Sequence, residues 1–373
     1  MPRFRGLNFA RFISAVPPDL VARFFERIPT DDRPEAWATL NPDALLAYLS
    51  DPANAEHAAL IGETFQRISD ISGAAAAVLY RACERYGIAT DSSDDETPTA
   101  LGFRVFLDHP EAFEFAWARY LLYGTGAKLS TYPFPRGTQA ATGPEALETF
   151  RRALTGWLSD QAKGVQCRLQ PFNDAGDLVL LVQRGTYVQT VSFWEGDELR
   201  IQSFRPAVED VIVFEPETAL LRVKAAYPAE REKYLRLFAA HFAGDPSLAD
   251  DAIATELFSL APIQGGSFNY RGAGPIVGIE LVKARLKLFG AAATVIEVKS
   301  ADVLDSFRRD LGGLSLQSGL LLMARFKFRI KWLNERETTV TFEIDPPGRS
   351  DLTEHRHLAL ILRYLEEQGV KLR

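Results

Sequence analysis

Apolar residues recur about every 3.6 positions through the first 160 residues of this chain and at every second position over much of the rest, a change from helical to strand spacing. In the helical part, Asn41 precedes Pro42 in NPDALLAYL. The asparagine oxygen can accept from the free N–H groups of a first turn, and proline has none to lose there. HPEAFEFAWARYLLYG repeats the device at Pro110 and sets Phe113, Trp117, Tyr120 and Leu121 on one stripe before Gly124. TDSSDDETPT (90–99) reads as a solvated loop and GTGAKLSTYPFPRGTQAATG (124–143) as a boundary or binding loop. Pro144 then opens the helix PEALETFRRALTGWLSDQA.

Beyond Gly164, alternating runs give candidate strands VQCRLQ, DLVLLVQR, YVQTVSFW, ELRIQSF, DVIVF and ALLRVKA, an antiparallel meander of five or six strands. Pro228, with Glu230 and Glu232 in the first turn, opens another helix, because carboxylates favour a helix N-terminus. GGSFNYRGAGP (265–275) reads as a linker. The last hundred residues give a hairpin (277–288 with 294–299), a helix (301–311), a second hairpin (320–333 with 337–345) and a final helix (351–368).

Pairing follows from requiring apolar faces to coincide. In the first hairpin, Leu288, Leu286 and Ala284 oppose Thr294, Ile296 and Val298, which sets Arg285 opposite Glu297 and Lys283 opposite Lys299. In the second, Trp332, Ile330, Phe328 and Phe326 oppose Thr338, Val340, Phe342 and Ile344 across a loop of Asn334, Glu335 and Arg336. Lys327 then faces Glu343 and Arg325 faces Asp345. The expected fold class is α+β: an N-terminal helical region, a central antiparallel β-meander with helices, and a C-terminal two-hairpin sheet backed by two helices. The domains expected are 1–125, 144–260 and 268–373, the last in the order ββαββα.

Composition narrows the class. A chain 47% hydrophobic with 25 Phe, 11 Tyr and 5 Trp can bury a large core, as disordered chains cannot. Two cysteines, Cys83 and Cys167, point to a reducing compartment. Asn8, Arg11 and Pro17-Pro18 interrupt any signal-peptide core, and GLLLMA (319–324) is far too short to span a bilayer, so the expected location is cytoplasmic, with no membrane partner. Abundant Ala and an excess of Arg over Lys point to a bacterial origin. The net charge of −7 is uneven: residues 268–373 hold 17 basic against 13 acidic residues. A local basic surplus of that kind suits a polyanionic partner.

Standard metal and nucleotide signatures such as HExxH, paired CxxC, GxxxxGK[ST] and GxSxG do not occur. TVIEVKS (294–300) resembles the last part of the PD-(D/E)xK nuclease signature. The resemblance implies that Glu297 helps hold a divalent metal and that Lys299 positions the attacking water. The upstream aspartate of that signature is missing, and Glu280, by parity, points to the face opposite Glu297 unless a bulge intervenes. Alternating cations form a second constellation. Arg325, Lys327 and Arg285 have acidic partners in the derived register, which leaves Lys283, Lys287, Lys299, Arg329 and Lys331 to meet phosphates. A third is the aromatic load of the N-terminal helices: Phe4, Phe9, Phe12, Phe24, Phe25 and Trp37.

The expectation carried forward is a non-catalytic, nucleic-acid-contacting or assembly component of a bacterial cytoplasmic system, using those five cations. Its alternatives are a metal-dependent nuclease built on Glu297 and Lys299, and a protein-interaction scaffold docking through the N-terminal helices. Neither cofactor nor metal is expected.

Overall fold

Asn41 Oδ1 accepts from the backbone N–H groups of Asp43 (2.9 Å) and Ala44 (3.3 Å), so helix Pro42–Ser50 begins where its cap sets it. The structure, a computed structural model, describes residues 9–28, 33–73, 75–90, 96–126, 128–195, 197–290, 292–333, 335–352 and 356–372. Phe4, Asn334, His355 and residues 91–95 of the acidic loop lie outside them. The chain divides into two compact units, residues 1–125 with 188–204, and residues 126–187 with 205–373.

The described residues of the first unit up to Thr125 are helical, as their period requires. Phe9, Phe12, Phe24, Phe25 and Phe103 gather around the fully buried Phe65, with ring centroids 4.8–6.4 Å from it. Trp37 stacks on Phe25 at 5.1 Å. These rings are core, each stabilising the fold by about 1.5–3 kcal/mol through burial. Among the described residues, no helix is long and apolar enough to cross a membrane.

Twelve strands are described: β1 (Leu129–Pro133), β2 (Cys167–Asp174), β3 (Asp177–Gly185), β4 (Gln189–Glu195), β5 (Glu198–Phe204), β6 (Ala207–Glu215), β7 (Leu220–Lys224), β8 (Ile276–Leu288), β9 (Val295–Lys299), β10 (Gly319–Ile330), β11 (Thr338–Asp345) and β12 (Arg349–Ser350). Ten form one sheet in the order β2-β3-β6-β7-β1-β12-β11-β10-β8-β9, with every pairing antiparallel. The fold is α+β. The segments expected as separate domains, 144–260 and 268–373, both contribute to this sheet. β4 and β5 pair only with each other, so the expected meander contributes four strands to the sheet and holds a separate hairpin.

Directly opposed residues share a face, so faces can be followed strand to strand. One row runs Val223, Ser130, Arg349, Asp345; the next runs Leu129, Ser350, Ile344. On the face of Val223, helices Pro144–Asp160 and Pro228–His241 cover the β2–β7 half. Phe150, Leu154 and Leu158 meet Leu180, Val182, Ile212 and Phe214 there, with Tyr234, Leu235 and Phe238. On the face of Ile344, helices Val303–Arg309 and Leu358–Glu367 cover the β8–β12 half, packing against Leu281, Leu286, Phe326, Phe328 and Phe342. The helical coat therefore changes sides at β1 and β12.

The first C-terminal hairpin has the derived register, with Arg285 opposite Glu297 and Lys283 opposite Lys299. The second is shifted by two residues: Ile330 opposes Thr338, Phe328 opposes Val340 and Phe326 opposes Phe342, so Arg325, not Lys327, faces Glu343. A two-residue slip keeps every side chain on its face, so hydrophobic matching could not separate the two registers. The strand ends at Ile330, and Trp332 lies in the connection, its indole Nε1 3.4 Å from His357 Nδ1.

Candidate functional site

Between Arg325↔Lys283 and Phe326↔Leu281, β8 carries one extra residue, Val282. This bulge reverses the parity of everything before it, bringing Glu280 to the same face as Glu297. There Glu280 takes Lys327 at 2.8 Å and Arg329 at 3.5 Å, while Glu297 takes Lys283 at 3.0 Å and Arg285 at 3.9 Å. Five residues of β8 separate Glu280 from the position opposite Glu297, about 15 Å at strand rise. No three His, Cys, Asp or Glu side chains among the described residues converge in a way that could hold a metal ion.

The five expected phosphate contacts separate into two groups. Lys283 pairs with Glu297 and lies 3.9 Å from the nearly buried Glu343, and Arg329 pairs with Glu280 and Glu337 (3.8 Å). Both were expected to be uncompensated. The bulge supplies Glu280 to Arg329, while Glu297 reaches Lys283 diagonally within its own hairpin and Glu343 shares its row through Arg325, contacts that directly opposed pairs of one hairpin do not show. Lys287, Lys299 and Lys331 are exposed, with no carboxylate partner among the described residues. The same face continues through Lys128, bonded to Glu343 and to Asp345 (2.7 Å), and through Arg285 and Arg349, which reach Asp345 at 3.7 and 3.5 Å. The result is a half-buried ladder of alternating charge.

A second cluster had no signal in the sequence. Under the helices of the β2–β7 half, Glu230 receives Lys163 Nζ and Arg184 Nη2, each at 2.7 Å. Arg184 Nε also reaches Asp210 Oδ2 at 2.7 Å, and the Tyr234 hydroxyl donates to the same oxygen at 2.7 Å. All five groups are buried. Trp157, Tyr187 and Tyr227 face the Lys163 ammonium at 5.0–5.6 Å. Burial pushes the Asp210 carboxyl upward against the opposing pull of Arg184, and pushes the Tyr234 hydroxyl well up. Glu230, read from sequence as a helix-terminal charge, is the shared acceptor of this network.

Beside the cluster runs a groove of about 530 Å³ lined by Gln166, Cys167, Arg168, Gln183, Arg184 and Arg205, among others. Arg205 is held in place: its Nη1 donates to the carbonyls of Ala162 (2.8 Å) and Thr186 (2.6 Å). Gly164 (φ +85°) and Gly185 flank it. A Cβ at Gly164 would lie 2.8 Å from Arg205 Nε, and one at Gly185 2.7 Å from its Cδ. Neither Arg168 nor Arg205 has a carboxylate partner among the described residues. Glu209 lies across from Gln183 and takes its amide at 2.9 Å. Burial pushes the half-buried Cys167 thiol up to about 11, so near neutrality it stays protonated despite Arg151 and Arg184.

No protein-family model matches the chain, and no curated protein is similar to it in sequence.

Proposed function

We propose that the protein is an assembly component that contacts a nucleic-acid backbone, with the Arg168–Arg205 groove as its main phosphate-binding point. The observation that carries this reading is Arg205. Its guanidinium is immobilised by two carbonyls and two glycines, it borders a groove shared with Arg168, and no carboxylate consumes its charge. A guanidinium fixed in advance loses little freedom on binding and presents its remaining N–H groups to phosphate oxygens. Lys287, Lys299 and Lys331 form a second, exposed cationic set on the β8–β10 side of the sheet, spread along a length that suits a long backbone.

Phosphate contacts leave a mark in salt dependence, because each neutralised phosphate releases condensed counterion. The slope of log K against log salt is about −0.9 per contact on duplex DNA. Two groove contacts give roughly −2, and three lysine contacts roughly −3. The experiment is a salt titration of a labelled 20-base-pair duplex by anisotropy, with circular dichroism as a fold control. Arg168→Gln is expected to flatten the slope by about one contact, whatever the DNA sequence, since phosphate contacts position and do not specify. If the slope responds only to Lys287→Gln, Lys299→Gln and Lys331→Gln, the contact lies on the β8–β10 face instead. If no duplex binds at low salt, the reading fails.

A further inference from the structure

Among the described residues, exposed large apolar side chains concentrate on the hairpin β4–β5 and the two residues before it. Tyr187, Val188, Val191, Phe193, Trp194, Leu199, Ile201 and Phe204 are all more than a third exposed, reaching 66% for Trp194 and 72% for Ile201. Register places Val191, Phe193 and Phe204 on one face and Trp194, Leu199 and Ile201 on the other, so neither face is a conventional solvent face. A two-stranded ribbon alone is marginally stable in water; three or more strands are the usual minimum. At about 200 Å² for a large side chain, these eight expose on the order of 800 Å², as much as each partner buries in a standard interface.

The two outer edges of the ribbon differ. Among the described residues neither strand has a second neighbour, so both edges present unpaired backbone N–H and C=O groups. β5 carries Glu198 and Arg200, charges of the kind that protect an edge against pairing. Residues 189–194 of β4 (QTVSFW) carry no charge and no proline, and the register with β5 runs without a bulge. The β4 edge has none of the usual protections.

We infer that β4 pairs antiparallel with β4 of a second copy of this chain, centred on Ser192. The occupant follows from the strand's own sequence. Turned about Ser192, β4 sets Val191 opposite Phe193 twice and Thr190 opposite Trp194 twice, aromatic and β-branched pairs of the kind that stabilise sheets. The antiparallel sense carries the acidic turns, with Asp197 and Glu198, to opposite ends of the pair, where they do not repel. The product is a four-stranded sheet, β5-β4-β4-β5, with its charged edges outermost. It draws on residues that the phosphate-binding reading does not use, so either can fail alone.

The test uses the full chain. Sedimentation equilibrium from about 1 to 100 μM is expected to give twice the chain mass, and Phe193→Lys is expected to weaken association at least tenfold. Ser192→Cys reads the register: its two copies face each other, so mild oxidation should join them through a disulfide. Thr190→Cys, whose opposite number is Trp194, should not be joined. Wild type treated with the same oxidant controls for Cys83 and Cys167. A monomer across the whole range, a dimer indifferent to Phe193→Lys, or Thr190→Cys joining as fast as Ser192→Cys would each overturn the inference. Duplex binding by Phe193→Lys should keep its salt slope.

Discussion

The two halves of the ten-stranded sheet solve one burial problem in opposite ways. In the β2–β7 half both faces are apolar: Leu180 and Ile212 lie under helices, and Val179, Leu181, Val211 and Val213 on the reverse face are buried as completely. In the β8–β12 half only the helix-covered face is apolar; the reverse carries Lys283, Arg285, Arg325, Lys327, Arg329, Glu280, Glu343 and Asp345. Charge follows. The helix-covered face of the first half holds a few charges, fully buried and joined in one network; the second half spreads many along a half-wet surface. A buried pair loses most of its hydration, so its partners must be complete, whereas a surface pair is individually dispensable.

Substitution of carboxylates tests that contrast. Glu230→Gln should be the most damaging, at about 3–5 kcal/mol by urea unfolding, since Lys163 and Arg184 would keep their charges in a dry site. A loss below about 1 kcal/mol would mean that water reaches the cluster. Thiol chemistry probes the same half differently. With its pKa raised to about 11, Cys167 should carry on the order of 100-fold less thiolate at pH 8 than an ordinary cysteine, and alkylate correspondingly more slowly in the native than in the urea-unfolded chain. Because the shift is upward, reactivity should keep rising with pH until about 11. A native rate already level at pH 9 would refute the burial of that thiol.

In the other half, Glu343→Gln should cost about 1–3 kcal/mol, since its side chain is nearly buried but shares Lys128 and Lys283 with Asp345 and Glu297. Glu297→Gln, half exposed, should cost at most about 1 kcal/mol and leave the slope of duplex binding unchanged. If Glu297→Gln proved costlier than Glu230→Gln, the contrast between halves would be reversed.

Legibility in the sequence tracked how local the deciding interaction is. The Asn41 cap, the proline-opened helices and the first C-terminal hairpin each depend on residues within about a dozen positions, and pattern alone places them. The second hairpin slipped because two registers satisfy its apolar faces equally and only the connection after Ile330 separates them. β1 hides in a segment rich in Pro, Gly and Thr, because its five residues are strand only by virtue of β7 and β12. The buried network draws on positions 163, 184, 210, 230 and 234, ordinary polar residues scattered over a loop, two strands and one helix. Arg168 and Arg205 were equally silent, since a guanidinium's lack of partners is a property of three dimensions. The hairpin β4–β5 had the alternation of sheet strands, but alternation says nothing about which sheet a strand will join.

Ser130 meets Arg349 across about 220 residues of chain, and β12, which closes that contact, is two residues long. Closing so long a loop is entropically costly, and little hydrogen bonding repays it at the point of closure. During synthesis, β2, β3, β6 and β7 with their helices can assemble as soon as the helix Pro228–His241 has emerged. Until Arg349 and Ser350 arrive, β1 has only β7 beside it, and its other edge is exposed to any neighbouring nascent chain. For this protein the hazardous interval of biogenesis is the time needed to make the hundred residues between that helix and β12. Slow translation there would lengthen the exposure of a sheet edge that β12 covers only once the chain is nearly finished.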